Sequence, residues 1–176
     1  MTTTQAAPES ERWRTKFGSL DSYDKGRVEV IDDDPRHYTF SNIFQVAAMS
    51  KPYEQVAVGK NIQYVLEVLR AEGTSEWRTA DHDQFALVMD GEVEAHLIKL
   101  DDDAQRAPEG TPGSIRVEGE PRGRRMGHVV ARRGHMTLLP AGAAYQFRAG
   151  QPGVILMQTL AGDGTTYKWA EICQTM

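Results

Sequence analysis

The spacing of apolar residues changes character near residue 60. Before it they are sparse: Trp13, Phe17, Leu20 and Tyr23 stand in a polar background, a segment that gains order only by packing against another surface. Ile43, Phe44, Val46, Ala47 and Met49 follow at helical spacing, with Ser41 or Asn42 as a cap and Pro52 behind as a stop. That pattern predicts one or two helical turns over 42–49. From Asn61 the period becomes two. Ile62, Tyr64, Leu66 and Val68 alternate with Gln63, Val65 and Glu67 until Gly73-Thr74-Ser75 breaks the run. Phe85, Leu87 and Met89 alternate again, Asp90-Gly91 supplies a tight turn, and Val93, Ala95 and Leu97 resume, which predicts a hairpin. Residues 101–113, rich in Asp, Pro and Gly, read as a long exposed loop. Further strands are expected over 127–130, 136–139, 145–147 and 154–160, with 166–172 a terminal strand or short helix. Short strands between Gly and Pro turns predict a β-sandwich or barrel.

At 176 residues the chain suits one domain with a single sizeable core, and no internal repeat suggests a second copy of the barrel. It divides into a polar leader over 1–11, expected to be disordered, an N-terminal extension over 12–60, and one barrel over 61–176. The leader lacks the basic start and apolar centre of a signal peptide. A net charge of −5 argues against nucleic acid as the main partner. The single cysteine, Cys173, forbids an intramolecular disulfide and fits a reducing cytoplasm, with an inert thiol the simplest reading. No run approaches eighteen apolar residues, so no membrane span is expected.

The segment Gly134-His135-Met136-Thr137-Leu138-Leu139-Pro140-Ala141-Gly142-Ala143-Ala144-Tyr145 matches the second cupin motif (G, five residues, P-x-G, two residues, H) except at its last position. Tyr145 stands in the slot of the metal-binding histidine. The first cupin motif, anchored on Gly91, puts Gln84 where its glutamate ligand belongs. Its histidine pair falls on Arg78 and Ala80, or on Trp77 and Thr79 with the longer spacer; counting from Gly73 gives Thr79 and Asp81. No frame recovers the H-x-H pair. A transition metal needs three or four convergent N, O or S ligands, and His82 with Gln84 and Tyr145 is a poor substitute. The pattern predicts an all-β cupin jelly-roll barrel with vacated metal slots at Gln84 and Tyr145, preceded by an extension that contains a short helix.

The remaining chemistry is modest. His82, between Asp81 and Asp83, suits either a structural hydrogen bond or a general base oriented by a carboxylate. His96 alternates with Ala95 and Leu97 and points away from their face, and His135 occupies a turn. Tyr145 is expected to point into the barrel and plug it, with Gln84 as a partner for its hydroxyl. Asp32-Asp33-Asp34 before Pro35 reads as a solvated turn, because adjacent carboxylates cannot all face one ion. The string from Gly119 to Gly127 lacks the strand-to-helix setting of a phosphate loop. Six arginines lie from Arg116 to Arg133, either a solvated hairpin or a patch for an acidic partner. Trp77, beside polar residues near the barrel mouth, suits either rim packing or an aromatic face offered to a ring substrate or a subunit.

The runs Pro35-Arg36-His37-Tyr38, Ser50-Lys51-Pro52-Tyr53-Glu54, Arg70-Ala71-Glu72-Gly73-Thr74-Ser75 and Lys168-Trp169-Ala170-Glu171-Ile172-Cys173 flank His82-Asp83-Gln84-Phe85 and Met89-Asp90-Gly91-Glu92-Val93. Together they resemble the small subunit of the two-subunit hydroquinone 1,2-dioxygenases of bacterial 4-nitrophenol catabolism, over about residues 12–173. The resemblance implies a heteromer of two small and two large subunits, the large one cupin-containing and holding the non-haem Fe(II). That complex would open hydroquinone with O2 to 4-hydroxymuconic semialdehyde, this chain alone being inactive and binding no metal. It also implies Trp77 as a wall of the substrate pocket, and the 12–60 extension and the arginine-rich hairpin as subunit contacts. Three other readings stay open: a metal-independent cupin isomerase or epimerase built on His82 and Tyr145, a non-catalytic ligand-binding cupin, and a metalloenzyme with an unusual ligand set around His82.

Overall fold

A computed structural model describes residues 18–40 and 42–168. The expected leader, Trp13, Phe17, Ser41, Trp169 and Cys173 lie outside the described residues. The chain enters through β1 (Val28–Val30) and β2 (His37–Phe40), joined by a short 3-10 turn at Ile31–Asp33. Helix α1 (Ile43–Ala48) follows, capped as the sequence predicts: the Asn42 side chain accepts hydrogen bonds from the backbone N–H of Phe44 and Gln45. Then come β3 (Val56–Asn61), β4 (Tyr64–Thr74), β5 (Arg78–Ala80), β6 (Gln84–Asp90), β7 (Glu92–Leu100), β8 (Ser114–Arg116), β9 (Gly123–Arg132), β10 (Met136–Leu139) and β11 (Ala143–Leu160). Among the described residues no helix is long and apolar enough to cross a membrane.

The long strand β11 belongs to both halves of the barrel. Its second half lies between β4 and β6, and its first half between β5 and β7. Strand β10 extends one sheet beside β6, while β8 and β9 extend the other beside β5 and β7. A register shift in β11 between Ala149 and Gly153 bends it from one sheet into the other. The barrel core includes Leu69, Leu139, Tyr145, Phe147, Ile155 and Met157. Leu139, Ile155 and Met157 are fully buried, each contributing on the order of 2 kcal/mol of transfer free energy. A second core forms where the extension lies on the outer face of β3 and β4: Tyr38, Phe40, Val46 and Ala47 pack against Val56, Val58, Val68 and Val154.

Two sequence expectations are corrected here. Asp90-Gly91 is not a hairpin turn, since β6 pairs with β10 and β11 whereas β7 pairs with β9 and β11. The chain instead continues along β11 and turns a corner, with Gly91 at φ 74° where the backbone passes Pro152 and Gly153. Likewise β8 and β9 are not a hairpin, because β8 pairs with β5. The alternation in β4 and β6 does not by itself name an inner face. Glu67 is inside at 1% exposure and Leu66 is 40% exposed; Gln84, Ala86 and Val88 are buried while Phe85 is 39% exposed. The cause is that part of the outer sheet face is itself covered, so apolar residues occur on both sides of these strands and alternation alone cannot name the inner one.

Candidate functional site

The two vacated ligand slots lie on strands that the barrel brings together. Gln84, at the start of β6, is fully buried, and its Nε2 donates to Thr159 Oγ1 at 2.6 Å. The same hydroxyl lies 3.0 Å from His82 Nε2, and the backbone N–H of Leu160 approaches that nitrogen at 3.4 Å. His82 Nε2 is placed to accept from that N–H, and burial pushes the His82 pKa down against the smaller opposite pull of Asp81 and Asp83. The flanking carboxylates do not orient it. Asp81 accepts from the backbone N–H of Gly110, and Asp83 from that of Ala141. His82 thus sits in a structural hydrogen-bond chain, without the carboxylate partner of a general base.

Tyr145 is buried among the barrel residues, its ring 5.5 Å from that of Phe147. Its hydroxyl has no partner at hydrogen-bonding geometry, so the expected bond to Gln84 is not made, and Gln84 Oε1 is likewise unpartnered. Burial pushes the phenol up to about 12, with Ser114 and Arg78 close enough to pull weakly the other way.

Strand alternation did not show the buried polar group that faces this tyrosine. Arg78 is opposite Tyr145 across β5 and β11; its Nε donates to Ser114 Oγ at 2.8 Å and its Nη2 to the Ser114 carbonyl at 2.6 Å. Gln55 Nε2 donates to Ser114 Oγ at 3.2 Å and to Glu67 Oε2 at 3.0 Å. Thr165 donates to Glu67 Oε1 at 2.6 Å. Burial raises the Glu67 pKa, while these donors and the charge of Arg78 oppose the rise. The signal in the sequence was a glutamate set between apolar neighbours, Val65-Leu66-Glu67-Val68-Leu69.

Trp77 precedes β5. Its carbonyl accepts from the Val117 N–H at 2.9 Å. Its half-buried side chain packs with Ile98 on Leu100, Val117 and Ala144, and Ala144 neighbours the inward Tyr145, so Trp77 lies on the outer face of the sheet. Because Arg78 is drawn inward to Ser114, the residue before it is turned outward. On the same face His96 holds Glu94 at 2.8 Å and stacks on His128 at 5.1 Å between ring centroids.

The donor set does not fit iron. Gln84 offers a neutral amide oxygen, Tyr145 a phenol that stays protonated, and Arg78 brings a positive charge to the same end of the lumen. Among the described residues no group of three His, Cys, Asp or Glu side chains is placed to hold a metal ion.

Comparison with solved structures gives close similarity. A chain of "hydroquinone 1,2-dioxygenase PnpCD in complex with Cd2+ and 4-hydroxybenzonitrile" is 54% identical, covering 92% of this chain and 96% of that one, with a TM-score of 0.79. A chain of the hydroquinone 1,2-dioxygenase from Sphingomonas sp. TTNP3 with 4-hydroxybenzoate bound is 55% identical, covering 92% and 98%, with a TM-score of 0.81. A chain of PnpCD in complex with Fe3+ shares the fold alone, at 14% identity and a TM-score of 0.56, over 80% of this chain and 38% of that longer one. No family model and no curated protein matches.

Proposed function

The chain belongs to the hydroquinone 1,2-dioxygenases, as a cupin-fold subunit of that ring-cleaving enzyme, and from this we propose that it is the small subunit that does not hold the iron. The observation that carries the reading is the pairing of 54–55% identity over nearly the whole chain with a lumen whose donor set is unsuited to iron. A dioxygenase subunit of this kind works against a partner. The longer cupin-fold chain matched over 38% of its length is of the kind that would supply the Fe(II), two of each subunit forming the assembly in the cytoplasm.

The reaction proposed is the opening of hydroquinone to 4-hydroxymuconic semialdehyde, both atoms of O2 entering the product, as in 4-nitrophenol catabolism. Iron in the partner supplies the redox chemistry; this chain contributes shape. Trp77 is the residue assigned to the substrate, its indole a wall that lies along the ring and excludes water. The support for that assignment is its exposed half on the outer face and its rigid seat on Leu100, Val117 and Ala144. The phenols named for the two relatives, 4-hydroxybenzonitrile and 4-hydroxybenzoate, are para-substituted rings, which accords with a para-diol substrate.

The test is ring cleavage of hydroquinone with Fe(II) and O2, first by this chain alone and then by this chain coexpressed with the open reading frame beside its gene. Activity and iron found only in the copurified complex support the reading. Stoichiometric iron or turnover in the isolated chain overturns it.

A further inference from the structure

Strand β9 is exposed on both faces. Nine of its ten residues are exposed, Ala131 alone being buried, and three of the exposed ones are large and apolar: Met126 at 48%, Val129 at 42% and Val130 at 43%. Among the described residues β9 pairs only with β7, so its other edge presents backbone N–H and C=O groups without a strand partner. A long edge of this kind promotes indiscriminate pairing unless it is guarded or covered. Two guards are present. The register shifts between Leu97 and Ile98, leaving Met126 unpaired ahead of Gly127 at φ 117°, a bulge that twists the edge. Arginines stand at both ends of the strand. These guards account for the charge and the bulge; they leave three apolar side chains in water on a strand with no covering layer.

The charges are not equivalent. Arg132 is held by Glu92 at 2.6 Å and Arg133 by Asp90 at 2.7 Å. Arg124 and Arg125 make no ion pair among the described residues, and Arg124 sits opposite Lys99, so this end is an uncompensated positive patch. A depression of about 380 Å³ lined by Leu100, Met126, Pro140 and Ala143 opens beside it. The patch disfavours a second copy as the cover. In a two-fold antiparallel pairing centred between His128 and Val129, Arg124 and Arg125 of one copy would meet Arg133 and Arg132 of the other, and like charges directly opposite are destabilising.

Resting on the heteromer reading above, we infer that β9 is the docking strand for the large subunit, which lays an acidic, partly apolar edge along it. Carboxylates of the partner meet Arg124 and Arg125, apolar side chains cover Met126, Val129 and Val130, and the open edge of β9 receives main-chain hydrogen bonds. The positive end also steers the encounter.

The test uses the coexpressed complex, with affinity between the tagged small subunit and the large subunit measured at low and high salt. The double variant Arg124→Glu/Arg125→Glu changes exposed side chains without touching either core. It is expected to weaken binding by at least about tenfold at low salt and to abolish or invert the salt dependence. The variant Val129→Thr/Val130→Thr is expected to weaken binding while keeping that salt dependence. Wild-type affinity and salt response in the charge-reversal variant overturn the inference and leave the heteromer intact. A homodimer of the small subunit that the charge reversal strengthens and Val129→Thr/Val130→Thr weakens also overturns it, assigning the strand to a second copy. Failure of the wild-type chain to bind any large subunit refutes the heteromer and this surface together.

Discussion

Replacing Trp77 with alanine separates a substrate wall from a packing residue. The indole is half-buried against Leu100, Val117 and Ala144 with Ile98 beside it. A Trp side chain offers on the order of 200 Å²; losing about half of that burial costs about 2.5 kcal/mol at 25 cal/mol per Å², an upper bound for the loss of stability. An exposed half that lies along an aromatic ring contributes about 0.5–1.5 kcal/mol beyond burial. Its removal should raise KM for hydroquinone about two- to twelvefold, with iron content unchanged. Trp77→Phe keeps an aromatic face and most of the packing, and should recover most of the KM. The assay is steady-state ring cleavage by the coexpressed complex, with metal content and thermal midpoint measured on the same samples. A KM that stays at the wild-type value in an iron-replete Ala variant refutes the wall. So does a loss of activity that tracks only the thermal midpoint.

Tyr145→His restores one motif ligand but leaves Gln84 and Arg78 in place, so the isolated variant should not bind Fe(II) tightly. Stoichiometric iron by metal analysis would show that the slots are misassigned. Gly91→Ala places a Cβ 3.0 Å from Gly153 Cα on a residue at φ 74°, and denaturant unfolding should show a loss of about 2 kcal/mol or more; a loss below 0.5 kcal/mol would mean that the corner relaxes freely. For Glu67, burial raises the folded pKa above the ordinary 4.5. The folded state therefore binds the extra proton above pH 4.5, and stability declines as pH rises through the raised value. Glu67→Gln should flatten that decline, and parallel urea midpoints for the two proteins across pH 4.5–8 would contradict it.

How much was legible follows from where the two periods and the motif were unambiguous. The helix cap at Asn42, the barrel class and the inward Tyr145 each rest on one local rule that tertiary context did not oppose. The pairing of β6 with β7 was misread because Asp-Gly between alternating runs satisfies a hairpin rule equally well when the chain merely turns a corner. What distinguishes the cases is the long β11, which pairs with both runs, and its partners are far away in sequence. The inner faces of β4 and β6 were not legible for a related reason. Leu66 and Phe85 obey the alternation, but the extension buries part of the outer surface, so Val68 is buried outside the lumen while Glu67 is buried within it. The Glu67–Gln55–Ser114–Arg78 group spans four strands or their flanks and had no spacing by which to announce itself.

On the proposed function, the same geometry explains how a cupin barrel would serve an oxygenase whose iron is held by the partner. A metal centre needs an open, polar lumen with convergent ligands. Here Leu139, Tyr145, Phe147 and Met157 fill that space, and Arg78, Ser114, Gln55 and Glu67 are joined by hydrogen bonds at its end, while the Tyr145 hydroxyl and Gln84 Oε1 stay unpartnered. A lumen filled in this way is a rigid support. It draws Arg78 inward and fixes β5, and a fixed β5 holds Trp77 at one position on the outer face. On the proposed function the barrel's contribution has moved from its inside to its outside. Substitutions that loosen the lumen polar group, such as Ser114→Ala, should then alter KM through the placement of Trp77 while leaving the partner's iron in place.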